Sequence, residues 1–485
     1  MKIKTRPILI VVMLFCLAAP KAFGVVPAPD GCYPGFTTAE GCSALNNLGS
    51  GAGNSGFGWY SLFSNTNGSY NTGIGAGTLV LNNGGLNTAI GTAALLLNTT
   101  GIANTATGTL ALIYNNDGNN NTAVGTAALY HHTTGDNNNA FGANALGSDQ
   151  SGAFNNAFGE EALAFNIDGF ANTAMGDFTL SQNEHGSGNT AVGAGALVQN
   201  RADGNTAVGL GALTFNSNGY NNTAVGSNAL GNNDSSGKGV ANYNNAFGNY
   251  ALIVNVDGYA NNAFGDSALK NCVNCNSNTA IGDSAGAAIT GSGNVCIGAG
   301  VIAAAAHDNR TWIRNVYGDM ATDRIVYVDS DGHLGTLSSS RRYKEDIKPM
   351  CQASEALYDL KPVTFRYKKQ VDPLQAPSFG LIAEEVADVN PDLVVRDQEG
   401  KPYSVRYDQV NAMLLNEFLK EHRKIEEQQV TIRQQRKAFE AEISQLKKEM
   451  GTLAARLNEQ NAEIQTVRAQ IEMNKSAPRV AANEP

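Results

Sequence analysis

The middle of this chain has almost no positive charge. Of the 33 lysines and arginines in 485 residues, only Arg201, Lys238 and Lys270 lie between residues 50 and 300. Proteins that bind nucleic acid carry a basic stripe that neutralises phosphates, so the sequence predicts no nucleic-acid partner. From Arg341 onward the chain is densely charged. This division predicts at least two physically different regions.

Long apolar runs are scarce as well. One run extends from Ile8 to Ala19, preceded by Lys2, Lys4 and Arg6 and followed by small residues near Gly24. A positive segment, an apolar stretch of about a dozen residues and a small-residue cleavage site are typical of a secretory signal peptide, here residues 1–24. An uncleaved membrane anchor is the alternative. We expect no integral anchor later in the chain, and a secreted or surface-exposed protein.

Cysteine is sparse. Six of the seven cysteines follow the signal peptide, and an exported protein permits disulfides. Cys32 and Cys42 flank a short loop in the N-terminal segment 25–53 and are the best disulfide candidates. Cys272 and Cys275 form a CVNC sequence without a second such pair or a histidine cluster nearby. This favours a local disulfide or two free thiols over a zinc or redox centre, and we expect no metal and no cofactor.

One nine-residue sequence, NTAVGTAAL at residues 121–129, recurs with small changes over half the chain. Its central glycine returns every 16 or 17 residues, apart from one 22-residue step that indicates a loop insertion. The repeating glycines are Gly58, Gly75, Gly91, Gly108, Gly125, Gly142, Gly159, Gly176, Gly193, Gly209, Gly226, Gly248, Gly265, Gly282 and Gly298. Such a short period is typical of a repeat architecture in which each unit stacks on the next.

Each unit pairs a β-prone stretch with an Asn/Gly-rich turn. We predict one coil of a parallel β-solenoid per unit, with Val on Val, Leu on Leu and Asn on Asn. Neighbouring strands lie ~4.8 Å apart, so fifteen coils make a rod on the order of 70 Å long. We expect valine and leucine in the interior and a flat Ala/Gly face against a neighbouring chain. An Asn-rich disordered tract is the alternative; helical repeats are excluded by the recurring glycines.

The repeats over residues 54–300 resemble the head repeats of trimeric autotransporter adhesins, which are left-handed parallel β-rolls of bacterial surface fibres. The resemblance implies a homotrimeric β-roll used in adhesion. Residues 301–337 are predicted to be a β connector. Its Asp331-Gly332 pair favours a hairpin turn over a calcium loop, because the later ligands of such a loop are missing.

Four motifs then occur in order: SSSRRYKEDIKPM at 338–350, LYDLKPVTFRYK from 357, GLIAEEVADVNPDLV from 380 and YSVRYDQVNAMLLNEFLKEHRKI from 403. They resemble the peptidase S74 family, the intramolecular chaperone domain of phage tailspikes and endosialidases. The resemblance implies a small α+β chaperone domain over residues 338–412, assembly of a trimer, and autocleavage between Ser338 and Ser339.

The resemblance also assigns the chemistry of the cut. Ser339 is the implied nucleophile, Lys344 its base and Arg342 a supporting cation, while Ser340 stands where the family has aspartate. A serine hydroxyl is a weak nucleophile until a neighbour takes its proton. Lysine serves as that base when burial or a nearby cation lowers its pKa, and Ser-Lys dyads are an accepted variant of the catalytic triad. Without the motifs, SSSRRYK reads as a polar linker.

The last part of the chain is predicted to be a coiled coil over residues 413–474, followed by a disordered tail at 475–485. Apolar residues recur in two columns seven residues apart. One column holds Phe418, Ile425, Ile432, Phe439, Leu446 and Leu453; the other holds Leu415, Ile443, Met450, Leu457, Ile464 and Ile471. His422 is expected to form a polar layer of the seam rather than a metal site.

The sequence therefore predicts a mainly β, homotrimeric, surface-exposed fibre or adhesin whose C-terminal domain is a self-cleaving chaperone. A dimer is an alternative. So is a phage-tailspike-like fibre that binds or degrades glycans, although Glu160 and Glu161 form only an isolated carboxylate pair and adjacent strand residues point in opposite directions. The signal peptide weakens a phage tail fibre. A host or surface glycan or protein is the candidate ligand besides the chain itself.

Overall fold

The computed structural model describes residues 35–302, 306–316, 325–329 and 332–475. The predicted signal peptide, Cys32, Asp331 and the tail beyond residue 475 lie outside these ranges, so the expectations for them stay predictions. The chain divides into two compact units, residues 1–320 and 321–485.

The first unit is a parallel β-solenoid, which confirms the predicted fold class. Its single sheet has 17 strands, and equivalent residues of successive coils face one another in register, such as Val208 and Val225. The sheet extends one strand beyond the predicted repeats at each end. Its strands are β1 (Thr38–Glu40), β2 (Ser55–Phe57), β3 (Thr72–Ile74), β4 (Thr88–Ile90), β5 (Thr105–Thr107), β6 (Thr122–Val124), β7 (Asn139–Phe141), β8 (Asn156–Phe158), β9 (Thr173–Met175), β10 (Thr190–Val192), β11 (Thr206–Val208), β12 (Thr223–Val225), β13 (Asn245–Phe247), β14 (Asn262–Phe264), β15 (Thr279–Ile281), β16 (Val295–Ile297) and β17 (Thr311–Ile313).

The interior face of the strands differs from the expected one. From β4 to β15 the central residue of each strand is a fully buried alanine, as at Ala123, whereas the residue after it lies outside. Leucines from the following segment, such as Leu129, fill the interior as predicted. A Cβ built on Gly56 at the centre of β2 would lie 3.3 Å from Leu45 Cγ. The leucines thus reach the strand centre and leave room only for a small residue, so the expectation of interior valine and an exposed Ala/Gly face is wrong.

The outward residues form an apolar row along the sheet, which we call the outer stripe. Its members are partly exposed, none by more than 46 %. Two pairs of rings stack, Phe141 on Phe158 and Phe247 on Phe264, at 4.7 and 4.9 Å between centroids. Apart from Thr107, the outer stripe comprises Phe57, Ile74, Ile90, Val124, Phe141, Phe158, Met175, Val192, Val208, Val225, Phe247, Phe264, Ile281, Ile297 and Ile313.

The glycine after each strand allows the coils to approach closely. Gly142 has a φ of 142°, which side-chain-bearing residues rarely adopt. A Cβ at this position would lie 2.2 Å from the carbonyl oxygen of Gly159 in the next coil. Glycine therefore recurs here because the backbones of successive coils leave no space for a side chain.

Two columns of buried asparagines hold the coils together. In the column before the strands, Asn121 donates its backbone N–H to Asn104 Oδ1 at 2.9 Å and its Nδ2 to the Gly135 carbonyl at 2.9 Å. In the column after the leucines, Asn183 Nδ2 donates to the Gly186 carbonyl at 2.7 Å and to Asn166 Oδ1 at 3.1 Å. The amides thus satisfy turn carbonyls and one another, so a polar interior costs little.

A histidine and an aspartate replace asparagine in two adjacent coils of the second column. His132 Nδ1 and Asp149 Oδ2 lie 2.6 Å apart, and both side chains are fully buried. His132 Nε2 donates to the Gly135 carbonyl at 2.7 Å, and Asp149 Oδ1 accepts from Asn166 Nδ2 at 2.6 Å. Because His132 pairs forward with Asp149, Asn115 Oδ1 is buried without a hydrogen bond in the described structure.

In one coil, a disulfide replaces the hydrogen bond between the asparagine side chain of the second column and the turn carbonyl. Cys272 occupies the asparagine position of the second column, and Cys275 stands where other coils have glycine. The two are disulfide-bonded, which confirms the local-disulfide alternative. Cys42 is exposed and Cys296 is buried, where desolvation raises the pKa of its thiol. The pairing of Cys42 with Cys32 stays a prediction.

The second unit contains three two-stranded antiparallel sheets and a long helix. The sheets pair β18 (Tyr327–Val328) with β19 (Leu334–Gly335), β20 (Val363–Phe365) with β21 (Ser378–Gly380), and β22 (Val394–Arg396) with β23 (Pro402–Val405). The α-helices are α1 (Ala383–Val389) and α2 (Tyr407–Lys475), and the 3-10 helices are Arg341–Tyr343, Cys351–Asp359 and Pro391–Leu393. The strands of the first sheet flank the predicted turn and pair antiparallel.

The core of this unit is small and involves only the start of α2. It consists of Val386, Leu393, Val394, Val405, Val410 and Met413. Beyond Glu417, α2 has no buried residue, and its apolar side chains are exposed, for example Phe439 at 63 % and Leu453 at 60 %. Among the described residues, no helix combines the length and apolar character required to cross a membrane.

Candidate functional site

The predicted cleavage segment is extended and then turns into a short helix. Ser338 and Ser339 are exposed and lie before the 3-10 helix Arg341–Tyr343, and Lys344 ends that helix by donating its backbone N–H to the Arg341 carbonyl at 3.2 Å. The Lys344 side chain is exposed. Among the described residues, no hydrogen bond joins Ser339 to Lys344. A single chain thus places the two residues in one short segment without assembling a nucleophile–base pair.

Ser340 is the N-cap of the short 3-10 helix. Its Oγ accepts from the Arg342 backbone N–H at 3.4 Å and from Arg342 Nε at 3.3 Å, so it caps the short helix. The Arg342 guanidinium also lies 5.5 Å from the Tyr343 ring centroid. Aspartate is as good an N-cap as serine, so Ser340 preserves the cap that the family's aspartate would give. The structure therefore joins Arg342 to Ser340 rather than to Lys344.

A buried polar cluster ties the segment after the cleavage site to α2. Glu417 on α2 is 8 % exposed. Its carboxylate accepts hydrogen bonds from Ser354 Oγ, from the Tyr358 hydroxyl at 2.9 Å and from Lys420 Nζ at 2.7 Å. Asn416 Nδ2 adds a bond to Ser354 Oγ at 2.6 Å. The 3-10 helix Cys351–Asp359 is thereby fixed to the base of the long helix.

The cluster strongly favours the charged form of Glu417. The Lys420 ammonium and then the Ser354 hydroxyl lower the pKa of this carboxyl from 4.5 to about 2, against the opposing effect of desolvation. The same contact raises the pKa of Lys420, and the carboxylate raises the pKa of Tyr358. Such a satisfied network holds its members in one arrangement.

Close packing explains why position 380, in the GLIAEE motif, holds glycine. A Cβ there would lie 2.8 Å from the Tyr407 hydroxyl, which accepts the Leu381 backbone N–H at 3.0 Å. The motif residue thus lets the first residue of α2 contact the end of β21. Several of the ordered motifs identified in the sequence meet here and at the Glu417 cluster.

Sequence reasoning missed the buried His132–Asp149 pair and the Glu417 cluster. His132 and Asp149 were detectable, because aligning the repeats places them in consecutive coils at a position that otherwise holds asparagine. Glu417 gave no such signal, since its partner Ser354 lies 63 residues away. In the described part of the chain, no group of three or more His, Cys, Asp or Glu side chains is placed to hold a metal ion.

Comparison with known proteins supports the division into two units. Residues 339–395 match the Peptidase_S74 family, described as the chaperone of endosialidase. No curated protein and no solved structure matches the chain. The matched segment begins at Ser339, the residue after the predicted cut, and includes Ser354 but not α2. The chain thus joins a 17-stranded parallel β-solenoid to a segment similar to the chaperone of endosialidase.

Proposed function

We propose that this chain is an exported, homotrimeric surface fibre of adhesin type. In this proposal the solenoid is the fibre, and residues 338–412 with the base of α2 form an intramolecular chaperone that aligns three chains. The observation that carries the proposal is the unburied apolar seam of α2, adjacent to a segment similar to a trimer-assembling chaperone. A helix with heptad apolar columns is stabilised by packing on other helices.

Alignment matters because the solenoid repeats itself. Neighbouring coils present almost the same residues, so three chains that meet along their solenoids have many pairings that differ by one coil. A helical seam with a non-repeating order of side chains has one best register. Polar positions such as His422, Gln429 and Arg436 interrupt one column of the α2 seam and would fix that register.

The chaperone is proposed to release the fibre by one cut. Lys344 takes the proton of Ser339 Oγ, which attacks the carbonyl carbon of Ser338. The bond between that carbon and the Ser339 nitrogen breaks as the nitrogen receives the proton, leaving an ester. Water hydrolyses the ester and yields a carboxylate at Ser338 and a free amino terminus at Ser339. Because Lys344 is exposed in one chain, the burial that a basic lysine needs would come from the assembled trimer.

The cut is tested by a denaturing gel and N-terminal sequencing of the purified chain. Wild type should give a fragment that begins at Ser339, and Ser339→Ala should remain full length. Ser340→Ala is the matched control, because it removes only the cap and should still be cleaved. If wild type and Ser339→Ala are both full length, the protease part of the proposal is wrong, and native mass still tests the trimer.

The outer stripe is the surface on which the solenoids are proposed to meet. It replaces the Ala/Gly face expected from sequence, since the alanines are interior. Apolar stripes of this length mark protein contacts in soluble proteins. Val208→Asp with Val225→Asp should reduce the native mass of the cleaved solenoid from three chains to one. The control is Gln182→Asp with Gln199→Asp, which lie off the stripe and should leave an assembly of three chains. If both double variants have the same native mass, the solenoids do not meet on the outer stripe.

A further inference from the structure

The surface of the solenoid carries a cleft between residues 127 and 165. This cleft of about 330 Å³ is formed by three successive coils. Its lining residues occupy the same three positions in each coil, spaced 17 residues apart along the chain, for example His131, Ser148 and Phe165. The middle coil has Gly147 and Ser148 where its neighbours have bulkier residues. The cleft exists because the middle coil is small at two of the three positions.

Aromatic rings form the two sides of the cleft. On one side, the Tyr130 and His131 rings are perpendicular with centroids 4.7 Å apart, and Tyr114 from the preceding coil stacks on His131 at 5.6 Å. On the other side, the Phe165 ring is 53 % exposed. The ring contacts hold the first wall in place before any ligand arrives. Exposed, pre-positioned rings offer large contact area at low entropic cost.

Polar groups lie between these rings. Asn144, Ser148 and Glu161 line the cleft and present an amide, a hydroxyl and a carboxylate. Among the described residues, no hydrogen bond to the protein uses these three side chains. They supply both donors and acceptors, which is what the hydroxyl groups of a sugar require, since each hydroxyl donates and accepts.

The charge around the cleft selects against anions. No lysine or arginine occurs between residues 50 and 200, whereas Glu160 and Glu161 lie in the third coil of the cleft. A sialic acid, sulfate or phosphate group would meet a carboxylate without a compensating cation. The volume lies at the lower end of the roughly 300–1,000 Å³ that is usual for ligand sites. These observations favour a small, uncharged, polyhydroxylated ligand with apolar ring faces.

We propose that this three-coil cleft binds a neutral saccharide unit, stacked between the Tyr130–His131 wall and Phe165 and hydrogen-bonded by Asn144, Ser148 and Glu161. The proposal rests on the proposed function in that it gives the fibre its ligand. Its test is nevertheless separate, because native mass reports assembly and glycan binding reports the cleft.

The test uses the intact protein on an array of immobilised neutral and sialylated or sulfated oligosaccharides, followed by titration calorimetry with the best free glycan. Wild type should bind neutral glycans. Ser148→Phe should weaken binding at least tenfold, because it supplies the aromatic that Phe165 and Phe215 provide at this position in other coils and so fills the cleft without disturbing the repeat. Gln199→Phe, at the same position three coils further on, is the matched control and should bind as wild type.

Several results would overturn the proposal. Wild type of correct native mass that binds no glycan, or only anionic glycans, would do so. Unchanged affinity in Ser148→Phe would place the saccharide elsewhere. Glu161→Gln keeps the shape of the hydrogen-bonding group and should weaken the binding of a neutral sugar by less than tenfold. If Glu161→Gln instead abolishes binding and choline competes with the glycan, the cleft recognises a cation and the proposal is wrong.

Discussion

The two units bury their apolar and polar groups in different ways. In the solenoid, each alanine, leucine and asparagine of the interior is covered by its counterpart in the next coil, so one chain completes its own core. In the second unit, six residues form the buried core and most of α2 remains exposed. In the first unit, the repeated coils of one chain cover one another, so the interior needs no second chain. The second unit lacks such repetition, and the proposed function assigns the contacts between chains to its exposed helix.

The difference also determines what a single substitution does. A change in the solenoid interior acts on two neighbouring coils and their hydrogen bonds. In the proposed trimer, a change on α2 beyond Glu417 acts on contacts between chains and leaves the single chain almost unchanged, because no residue there is buried. The predictions that follow test this contrast, beginning with the largest expected effect.

Charge in the α2 seam should prevent the assembly, because in the proposed function the chaperone aligns the three chains before their solenoids meet. Leu446→Glu with Leu453→Glu places two carboxylates at positions predicted to be buried between helices, at a cost of several kcal/mol per ion. Native mass spectrometry at micromolar concentration should then show single chains. Ala441→Glu with Ala455→Glu, on the opposite side of the predicted seam, should keep the wild-type mass. Equal behaviour of the two double variants would show that α2 is not a seam.

Breaking the buried His132–Asp149 pair should unfold part of the solenoid. His132→Asn leaves Asp149 as a buried carboxylate without its partner, which costs about 3–5 kcal/mol. Adding Asp149→Asn restores an uninterrupted amide column and gives Asn115 Oδ1 a donor, so the double variant should return close to wild type. Hydrogen exchange of peptides between residues 98 and 183 measures the local stability. A double variant as unstable as His132→Asn would contradict this account.

Two glycines with positive φ should differ in their tolerance of alanine, because Gly142 has the more extreme φ, 142° against 65° at Gly188, and also meets the next coil. Gly142→Ala meets the Gly159 carbonyl at 2.2 Å and has a positive φ, whereas Gly188→Ala has a positive φ with nothing within 4 Å. Gly188→Ala should cost about 1 kcal/mol, and Gly142→Ala about 2–3 kcal/mol more. Thermal unfolding of both variants gives the difference. Equal losses would mean that neither the close approach to Gly159 nor the more extreme φ of Gly142 selects glycine in this column.

The smallest effect is expected at the Glu417 cluster and depends on pH. Folding lowers the pKa of Glu417 from 4.5 to about 2, so its carboxylate stabilises the folded unit above the ordinary pKa, and this contribution is lost as the pH falls through about 2. Glu417→Gln should therefore lower the unfolding temperature of the second unit at neutral pH and match wild type near the lower pKa. Glu421→Gln serves as the exposed control. A difference between Glu417→Gln and wild type that is independent of pH would show that packing, rather than charge, is lost.

The sequence predicted the solenoid, the positions of its glycines and the long helix with some accuracy, because a fixed period requires each residue type to serve one structural purpose. It did not predict which strand face is interior. Alternation separates Ala123 from Val124 but does not say which side the leucines cover. The buried pair and the Glu417 cluster depend on contacts between residues 17 and 63 positions apart, respectively.

The sequence by itself determined that identical coils stack in register, since only residues 16 or 17 apart share a type. It also determined that the charged C-terminal region has a different architecture, because its period is seven. Only the tertiary structure decided that alanine lies inside and that the outer stripe is apolar. The physical reason is the thin interior: leucine side chains reach the strand centre, and no larger residue fits opposite them.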